Sequence, residues 1–165
     1  MVVIIFGVSG AGKTTVGQLL AQELGWRFYE ADDFHSPVNV EKMRQGVPLT
    51  DLDRWPWLES LRELINRCIA TGGDAVLACS ALKEAYRRYL QVNTEVKLVF
   101  LRGNYGLIAE QLRRRRRHFM NPGLFQSQFA DLEEPRPGEA TIVIELGRSP
   151  RQLVQEIKRK LRIRH

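Results

Sequence analysis

A phosphate-binding pattern stands near the start of this chain. Residues 7–14 read Gly-Val-Ser-Gly-Ala-Gly-Lys-Thr, which is a complete G-x-x-x-x-G-K-[ST] loop. Its glycines let backbone N–H groups turn toward phosphate oxygens, the Lys13 ammonium adds a charge at the β/γ-phosphates, and the Thr14 hydroxyl is a ligand for Mg²⁺. The pattern predicts a site for ATP or GTP with Mg²⁺, built from Gly7, Val8, Ser9, Gly10, Ala11, Gly12, Lys13, Thr14 and Thr15.

The segments on either side of this loop have the order that phosphate binding requires. An uninterrupted apolar run, Val2 to Phe6, predicts a buried strand before the loop. Apolar positions at helical spacing from Thr15 to Leu24 predict a helix after it, which ends at Gly25. The N-terminus of that helix then points at the phosphates. A purely structural glycine-rich turn is the alternative, but Lys13 followed by Thr14 favours nucleotide binding.

Short apolar runs alternate with helical patterns along the rest of the chain. The predicted strands are residues 2–6, 27–30, 75–79, 96–101 and 141–146. This alternation predicts an α/β fold with a five-stranded parallel sheet and helices on both faces, in one domain spanning residues 1–165. Residues 32–58 and 115–138 interrupt the alternation. We interpret them as a substrate-binding insertion and a helical lid, because ligands bind at the carboxyl ends of parallel strands.

Composition and charge limit the class of protein. The chain has 165 residues, of which 44% are hydrophobic and 27% charged, as in ordinary globular domains. No run approaches the ~18 apolar residues that a membrane span needs, and no charged-then-apolar leader precedes the first strand. Cys68 and Cys79 do not indicate a disulfide framework or a zinc site. We therefore expect a cytoplasmic protein with reduced thiols, without a membrane partner.

Five consecutive arginines, Arg113 to Arg117, contribute to a net charge of +6. Such a cluster raises the question of nucleic-acid binding. Consecutive residues fan out by ~100° each on a helix, so the five cannot form one stripe. No aromatic platform for bases is interleaved with them. We expect most of them to be solvated and no nucleic acid to bind, with one or two as candidates for contacting ATP phosphates.

A kinase needs a group that orients the acceptor hydroxyl or takes its proton. Asp32, just past the second predicted strand, is a candidate, and its neighbour Asp33 is the competing choice. Acidic pairs after a strand are also common as turn residues, so the pattern leaves both roles open. His35 is a candidate for binding substrate hydroxyls, with a local hydrogen-bonding role as the alternative.

Three further cations lie near predicted strand ends or helix starts. The planar fork of Arg54 suits a substrate carboxylate, while a surface ion pair with Asp51 or Asp53 is the alternative. Lys83 and Arg87 are four residues apart and share a helical face, which suggests an anionic acceptor if they are not simply solvated.

A second acidic ligand for Mg²⁺ is not evident, because no aspartate follows the third predicted strand. We expect the ion to rest on Thr14, on ATP oxygens and on water. Asp32 is expected to reach it through a water molecule.

These segments together resemble the gluconokinases, small phosphate-loop kinases of sugar acids whose fold is similar to that of nucleotide monophosphate kinases. The match spans nearly the whole chain and rests on residues 7–14, 32, 35, 39–43, 46–49, 53–58, 79–83, 86–87, 118–119, 128–129 and 132–135. The Cys-Ser-Ala-Leu-Lys segment at 79–83 and the Asp-Arg-Trp-Pro-Trp-Leu segment at 53–58 are the specific ones.

The resemblance implies the P-loop kinase fold and transfer of the ATP γ-phosphoryl group to the 6-hydroxyl of D-gluconate. It implies that Asp32 meets the acceptor hydroxyl and that Arg115 is the lid arginine, although four arginines crowd that position. Members of the family are often dimers, so a homodimer is an open expectation. The sugar-acid pocket that the resemblance implies consists of His35, Arg54, Lys83 and Arg87.

Two other classes of function share some of these features. A shikimate kinase or a nucleoside monophosphate kinase has the same loop, but no Gly-Gly-Gly segment follows the third predicted strand here, where Cys79-Ser80-Ala81 stands instead. The non-enzyme alternative is a regulatory ATPase that binds nucleic acid through Arg113 to Arg117, and it predicts salt-sensitive binding to oligonucleotides.

Overall fold

A computed structural model describes residues 1–114 and 122–163 of this chain. Its strands are β1 (Val2–Phe6), β2 (Arg27–Glu30), β3 (Ala75–Ala78), β4 (Val96–Arg102) and β5 (Thr141–Glu145). Its helices are α1 (Lys13–Leu24), α2 (Pro37–Arg44), α3 (Asp51–Ala70), α4 (Glu84–Leu90), α5 (Tyr105–Arg114), α6 (Pro122–Asp131) and α7 (Pro150–Leu161). A 3₁₀ turn, Ala31–Phe34, follows β2 directly.

The strands form one parallel sheet in the order β2-β3-β1-β4-β5. The predicted five-stranded parallel sheet is confirmed, and its strands end within one residue of the predicted positions. Because all strands run the same way, their carboxyl ends lie at one edge. At that edge β1 leads into the phosphate loop, β2 into the 3₁₀ turn, and β3 into residues 79–83.

Helices cover both faces of the sheet, as predicted. Side chains of β1 alternate between two cores, because successive residues of a strand point to opposite faces. On one face, Val2, Ile4 and Phe6 belong to a buried cluster with residues of α3 and α4. On the other face, Val3 and Ile5 belong to a cluster with residues of α1 and α7.

Helix α3 begins at Asp51, within the predicted substrate-binding insertion. Its N-cap is Thr50. The Thr50 side chain accepts from the Asp53 N–H at 3.1 Å, and the Asp53 carboxylate accepts from the Thr50 N–H at 2.9 Å. This capping box fixes the start, and the helix continues through Pro56 in its second turn.

Part of the predicted lid falls outside the described residues, because residues 115–121 are not among them. The described remainder starts with helix α6. The bounds of the insertion, the lid and the single domain therefore stay predictions. Among the described residues, no helix is both long and apolar enough to cross a membrane, and Cys68 and Cys79 are free thiols.

Candidate active site

The phosphate loop needs glycine at two of its positions. Gly10 has a φ of 86° and Gly12 a φ of 94°, both in the left-handed region that other residues rarely adopt. A Cβ on Gly10 would also lie 2.5 Å from the Leu112 Cγ, so α5 packs directly on the loop. Gly12 immediately precedes α1, whose first N–H groups have no partners within the helix. This is the local structure that binds phosphate oxygens.

An open cleft surrounds the loop on the side of β2. The Lys13 ammonium donates to the carbonyl of Val8 at 3.1 Å, which holds the lysine over its own loop. The residues that line the cleft are Ser9, Gly10, Gly12, Lys13, Thr14, Thr15, Gln18, Phe28, Tyr29, Glu30, Asp32, Asp33, Phe34, Leu112 and Arg114. Most of the predicted nucleotide residues therefore face one cleft.

Glu30 is a site residue that the sequence analysis missed. It is the last residue of β2, and its carboxylate accepts a hydrogen bond from the Thr14 hydroxyl. Burial raises the pKa of Glu30. The signal was an acid at the carboxyl end of a strand, but we looked for that acid after the third strand, not at the end of the second. A carboxylate beside the Thr14 hydroxyl supplies the oxygen ligands that Mg²⁺ prefers.

A second cavity lies next to the nucleotide cleft. Its lining residues come from four separate segments of the chain and are Ser9, Asp32, His35, Met43, Leu49, Arg54, Trp57, Ser80, Ala81, Leu82, Tyr86, Ser127 and Gln128. Ser9 and Asp32 line both the cavity and the cleft. We call this second space the acceptor cavity. An acceptor bound there would meet the nucleotide where the two spaces join.

Asp32 and Asp33 have different surroundings, although they are adjacent. Asp32 lines both spaces, whereas Asp33 lines the nucleotide cleft and not the acceptor cavity. The 3₁₀ turn that carries them is anchored by Trp57, whose indole N–H donates to the carbonyl of Ala31 at 2.7 Å. The geometry favours Asp32 over Asp33 as the group that meets an acceptor.

His35 is held firmly at the base of the acceptor cavity. Its side chain is 3% exposed, and its ring stacks on Trp57 with the ring centroids 4.3 Å apart. The His35 Nε2 lies 4.0 Å from an Asp32 carboxylate oxygen, and the Nδ1 lies 3.4 Å from the Asn39 amide nitrogen. Burial lowers the pKa of His35, so the ring is neutral at pH 7 and serves as a hydrogen-bonding group.

Arg54 lies at the acceptor cavity and pairs with neither of the acids that we considered for it. One terminal nitrogen donates to the Tyr86 hydroxyl at 3.1 Å, and the other donates to the Asp131 carboxylate at 3.0 Å. Asp53 accepts instead from the Lys42 ammonium at 3.0 Å. Arg54 thus lines the acceptor cavity while other side chains hold both of its terminal nitrogens.

Lys83 and Arg87 do not converge on the acceptor cavity. Lys83 precedes α4, and its ammonium donates to Asp51 at 3.0 Å. The side chain of Arg87 is 1% exposed and lies beneath the cavity, where it donates to the carbonyls of Ala81 and Leu82 at 3.1 and 2.9 Å. The shared helical face that we predicted is not formed, because the helix begins after Lys83. Neither residue lines the acceptor cavity, and their contacts with substrate stay predictions.

The arginine run is described only in its first part. Arg113 and Arg114 are 79% and 80% exposed, and both lie 3.6 Å from the Glu110 carboxylate. Arg114 lines the nucleotide cleft. Arg115 lies outside the described residues, so its contact with phosphate stays a prediction.

Comparison with known proteins gives the family. A model described as shikimate kinase matches residues 9–162. A probable gluconokinase from Mus musculus is 41% identical over 179 residues, and the alignment covers 98% of this chain and 97% of that protein. The chain belongs to the gluconokinase family. The gluconokinase of Gluconobacter oxydans (strain 621H) is 43% identical over 157 residues, covering 94% of this chain and 88% of its own.

A solved structure from the same family has the same architecture. The crystal structure of a gluconokinase from Sinorhizobium meliloti 1021 has a TM-score of 0.83 and 38% identity to this chain. The alignment covers 93% of this chain and 87% of that gluconokinase. The predicted resemblance and the predicted P-loop kinase fold are both confirmed.

Proposed function

We propose that this protein transfers the γ-phosphoryl group of ATP to the 6-hydroxyl of D-gluconate, giving 6-phospho-D-gluconate and ADP. The observation that carries the proposal is the junction of the two spaces at Ser9 and Asp32. A nucleotide on the phosphate loop and an acceptor in the adjacent cavity meet beside one carboxylate. Family membership supports gluconate as the acceptor.

Each end of the site has a distinct task in this reaction. The Lys13 ammonium neutralises charge that develops on the transferring phosphoryl group. Asp32 orients the acceptor hydroxyl and takes its proton, and the neutral His35 beside it holds a substrate hydroxyl. Arg54 binds the sugar acid through its fork of N–H donors. The acceptor is thereby oriented from one end while its hydroxyl is activated at the other.

The residues around Thr14 fit a Mg²⁺ ion. The Thr14 hydroxyl and the Glu30 carboxylate, which contact each other, are hard oxygen donors at the edge of the phosphate loop. Thr14 would bind the ion, with Glu30 holding it directly or through water. When bound, Mg²⁺ supplies charge neutralisation on the phosphate oxygens. ATP and Mg²⁺ are thus the proposed cofactors, and the cytoplasm the proposed compartment.

A coupled assay of ADP release tests the proposed acceptor. The panel contains D-gluconate, its epimers, shikimate, nucleoside monophosphates and glucose, each with and without Mg²⁺. We expect D-gluconate to give the highest kcat/KM, and glucose to be a poor acceptor because it lacks the carboxylate. The Lys13→Ala variant measures the background. Faster turnover of shikimate or of a nucleoside monophosphate would overturn the proposal and favour one of those kinases.

A further inference from the structure

Helix α6 is attached to both sides of the acceptor cavity. Near its C-terminal end, the Gln128 side chain accepts a hydrogen bond from the Ser9 N–H of the phosphate loop at 2.6 Å. Its last residue, Asp131, accepts from Arg54 of helix α3 at 3.0 Å. Ser127 and Gln128 also line the cavity. The bond between Asp131 and Arg54 therefore ties α6 to the residue that faces the acceptor.

The guanidinium of Arg54 is largely enclosed by the protein. Its side chain is 11% exposed, and its two terminal nitrogens are engaged by Tyr86 and by Asp131. Asp131 is more accessible, with 30% of its side chain exposed. An acidic acceptor and the Asp131 carboxylate can both pair with the same Arg54 nitrogen, so the two acids compete for it.

We propose that Asp131 is an internal competitor for the sugar-acid carboxylate. In the absence of an acceptor it holds Arg54, and the carboxylate of the acceptor displaces it on binding. This inference rests on the proposed function, since it assumes that the acceptor is a sugar acid bound by Arg54. Asp131 thus sets the affinity and specificity of the acceptor site without taking part in phosphoryl transfer.

The exchange of one carboxylate for another has a physical advantage. A buried guanidinium that loses its carboxylate partner is strongly destabilised, but here a second anion arrives as the first one leaves. The displaced Asp131 is close enough to solvent to be hydrated. A neutral sugar offers no charge to replace Asp131 and so cannot make this exchange. The ion pair therefore contributes to the discrimination between acids and neutral sugars.

Substitution of Asp131 by asparagine tests the competition. Asp131→Asn keeps the size of the side chain and removes its charge. We expect the Kd of D-gluconate, measured calorimetrically without nucleotide, and its KM to fall about threefold to fivefold, since a partly exposed ion pair makes a modest contribution. The kcat should stay unchanged. Asp131→Ser serves as a second variant in case the amide makes a new hydrogen bond.

Two further variants serve as controls. Glu134→Gln removes one charge from an exposed position three residues after Asp131 and should leave the Kd of D-gluconate unchanged. In an Arg54→Ala background, Asp131→Asn should not change the Kd of D-gluconate, because the guanidinium for which the two acids compete is absent. A rise in Kd for Asp131→Asn would mean that Asp131 orients Arg54 for the substrate, and an unchanged Kd would mean that it does not compete. Either result overturns the inference.

The same measurements separate this inference from the proposed function. If the wild-type protein phosphorylates gluconate and Asp131→Asn does not bind it more tightly, this inference alone fails. If another acid is the better acceptor, gluconate is the wrong substrate, and the competition is tested with that acid. If no acid is phosphorylated, both proposals are wrong.

Discussion

The nucleotide end and the acceptor end of the site are built in different ways. The nucleotide end is largely one continuous stretch, residues 7–15, in which backbone geometry and a lysine do most of the binding. The acceptor end is assembled from side chains of the 3₁₀ turn, of α3, of the loop after β3 and of α6. One contiguous segment supplies the first, whereas tertiary packing brings the second together.

The two ends also differ in how their charges are satisfied. The Lys13 ammonium donates to the carbonyl of Val8 within its own loop. Arg54, by contrast, is paired with the carboxylate of Asp131 on a different helix. An acidic acceptor therefore meets a cation that already has an anionic partner. We expect substitutions at the two ends to give distinct kinetic signatures.

The largest effect is expected at the nucleotide end. Lys13→Ala should lower turnover by ~10²–10³, because a transition-state charge contact is lost, while the thermal midpoint stays nearly constant. Lys158→Ala is the matched control and should keep full activity. It removes a lysine of α7 that pairs with Glu23, at the end of α1 away from the phosphate loop. Retention of more than about a tenth of the wild-type rate by Lys13→Ala would contradict the assigned role.

A pair of substitutions at the acceptor end should separate activation from binding. Asp32→Asn should lower kcat roughly 10²-fold with little change in the KM of gluconate, because an amide holds a hydroxyl but cannot take its proton. Arg54→Ala should instead raise that KM about tenfold or more, since a charge-assisted hydrogen bond is lost. Steady-state kinetics of the two variants check this. Indistinguishable profiles would mean that at least one role is misassigned.

The smallest effect concerns stability and arises from His35. Its pKa is lowered by burial; Asp32 opposes this shift, and Arg54 adds to it. Below pH 6.5, the ordinary pKa of a histidine, this residue binds a proton more readily in the unfolded chain than in the folded protein. The unfolding free energy therefore falls on acidification. Between pH 7.5 and 5.5 the wild type should lose more unfolding free energy than His35→Gln. Denaturant titrations at the two pH values measure it, and equal losses would contradict burial of the neutral ring.

The sequence was sufficient for the parts of the molecule that depend on local pattern. The phosphate loop, the parallel sheet and the position of Asp32 after β2 follow from motif and periodicity. The partners of Arg54 do not, because Asp131 is 77 residues away and only the packing of α6 brings it near. The burial of Arg87 could not be predicted for a related reason, since helical spacing indicates which residues share a face but not whether that face is solvated.

The buried guanidinium of Arg87 has a consequence for redesign of the acceptor site. It bonds the carbonyls of Ala81 and Leu82 from below, and Ala81 has a left-handed φ of 32°. That wall of the cavity is therefore ordered when the chain folds, and binding does not have to order it. Attempts to accept a larger or differently branched acid should leave residues 81 and 82 in place. Variation at Met43, Leu49 and Ser127 changes other residues that line the cavity and leaves the contacts of Arg87 intact.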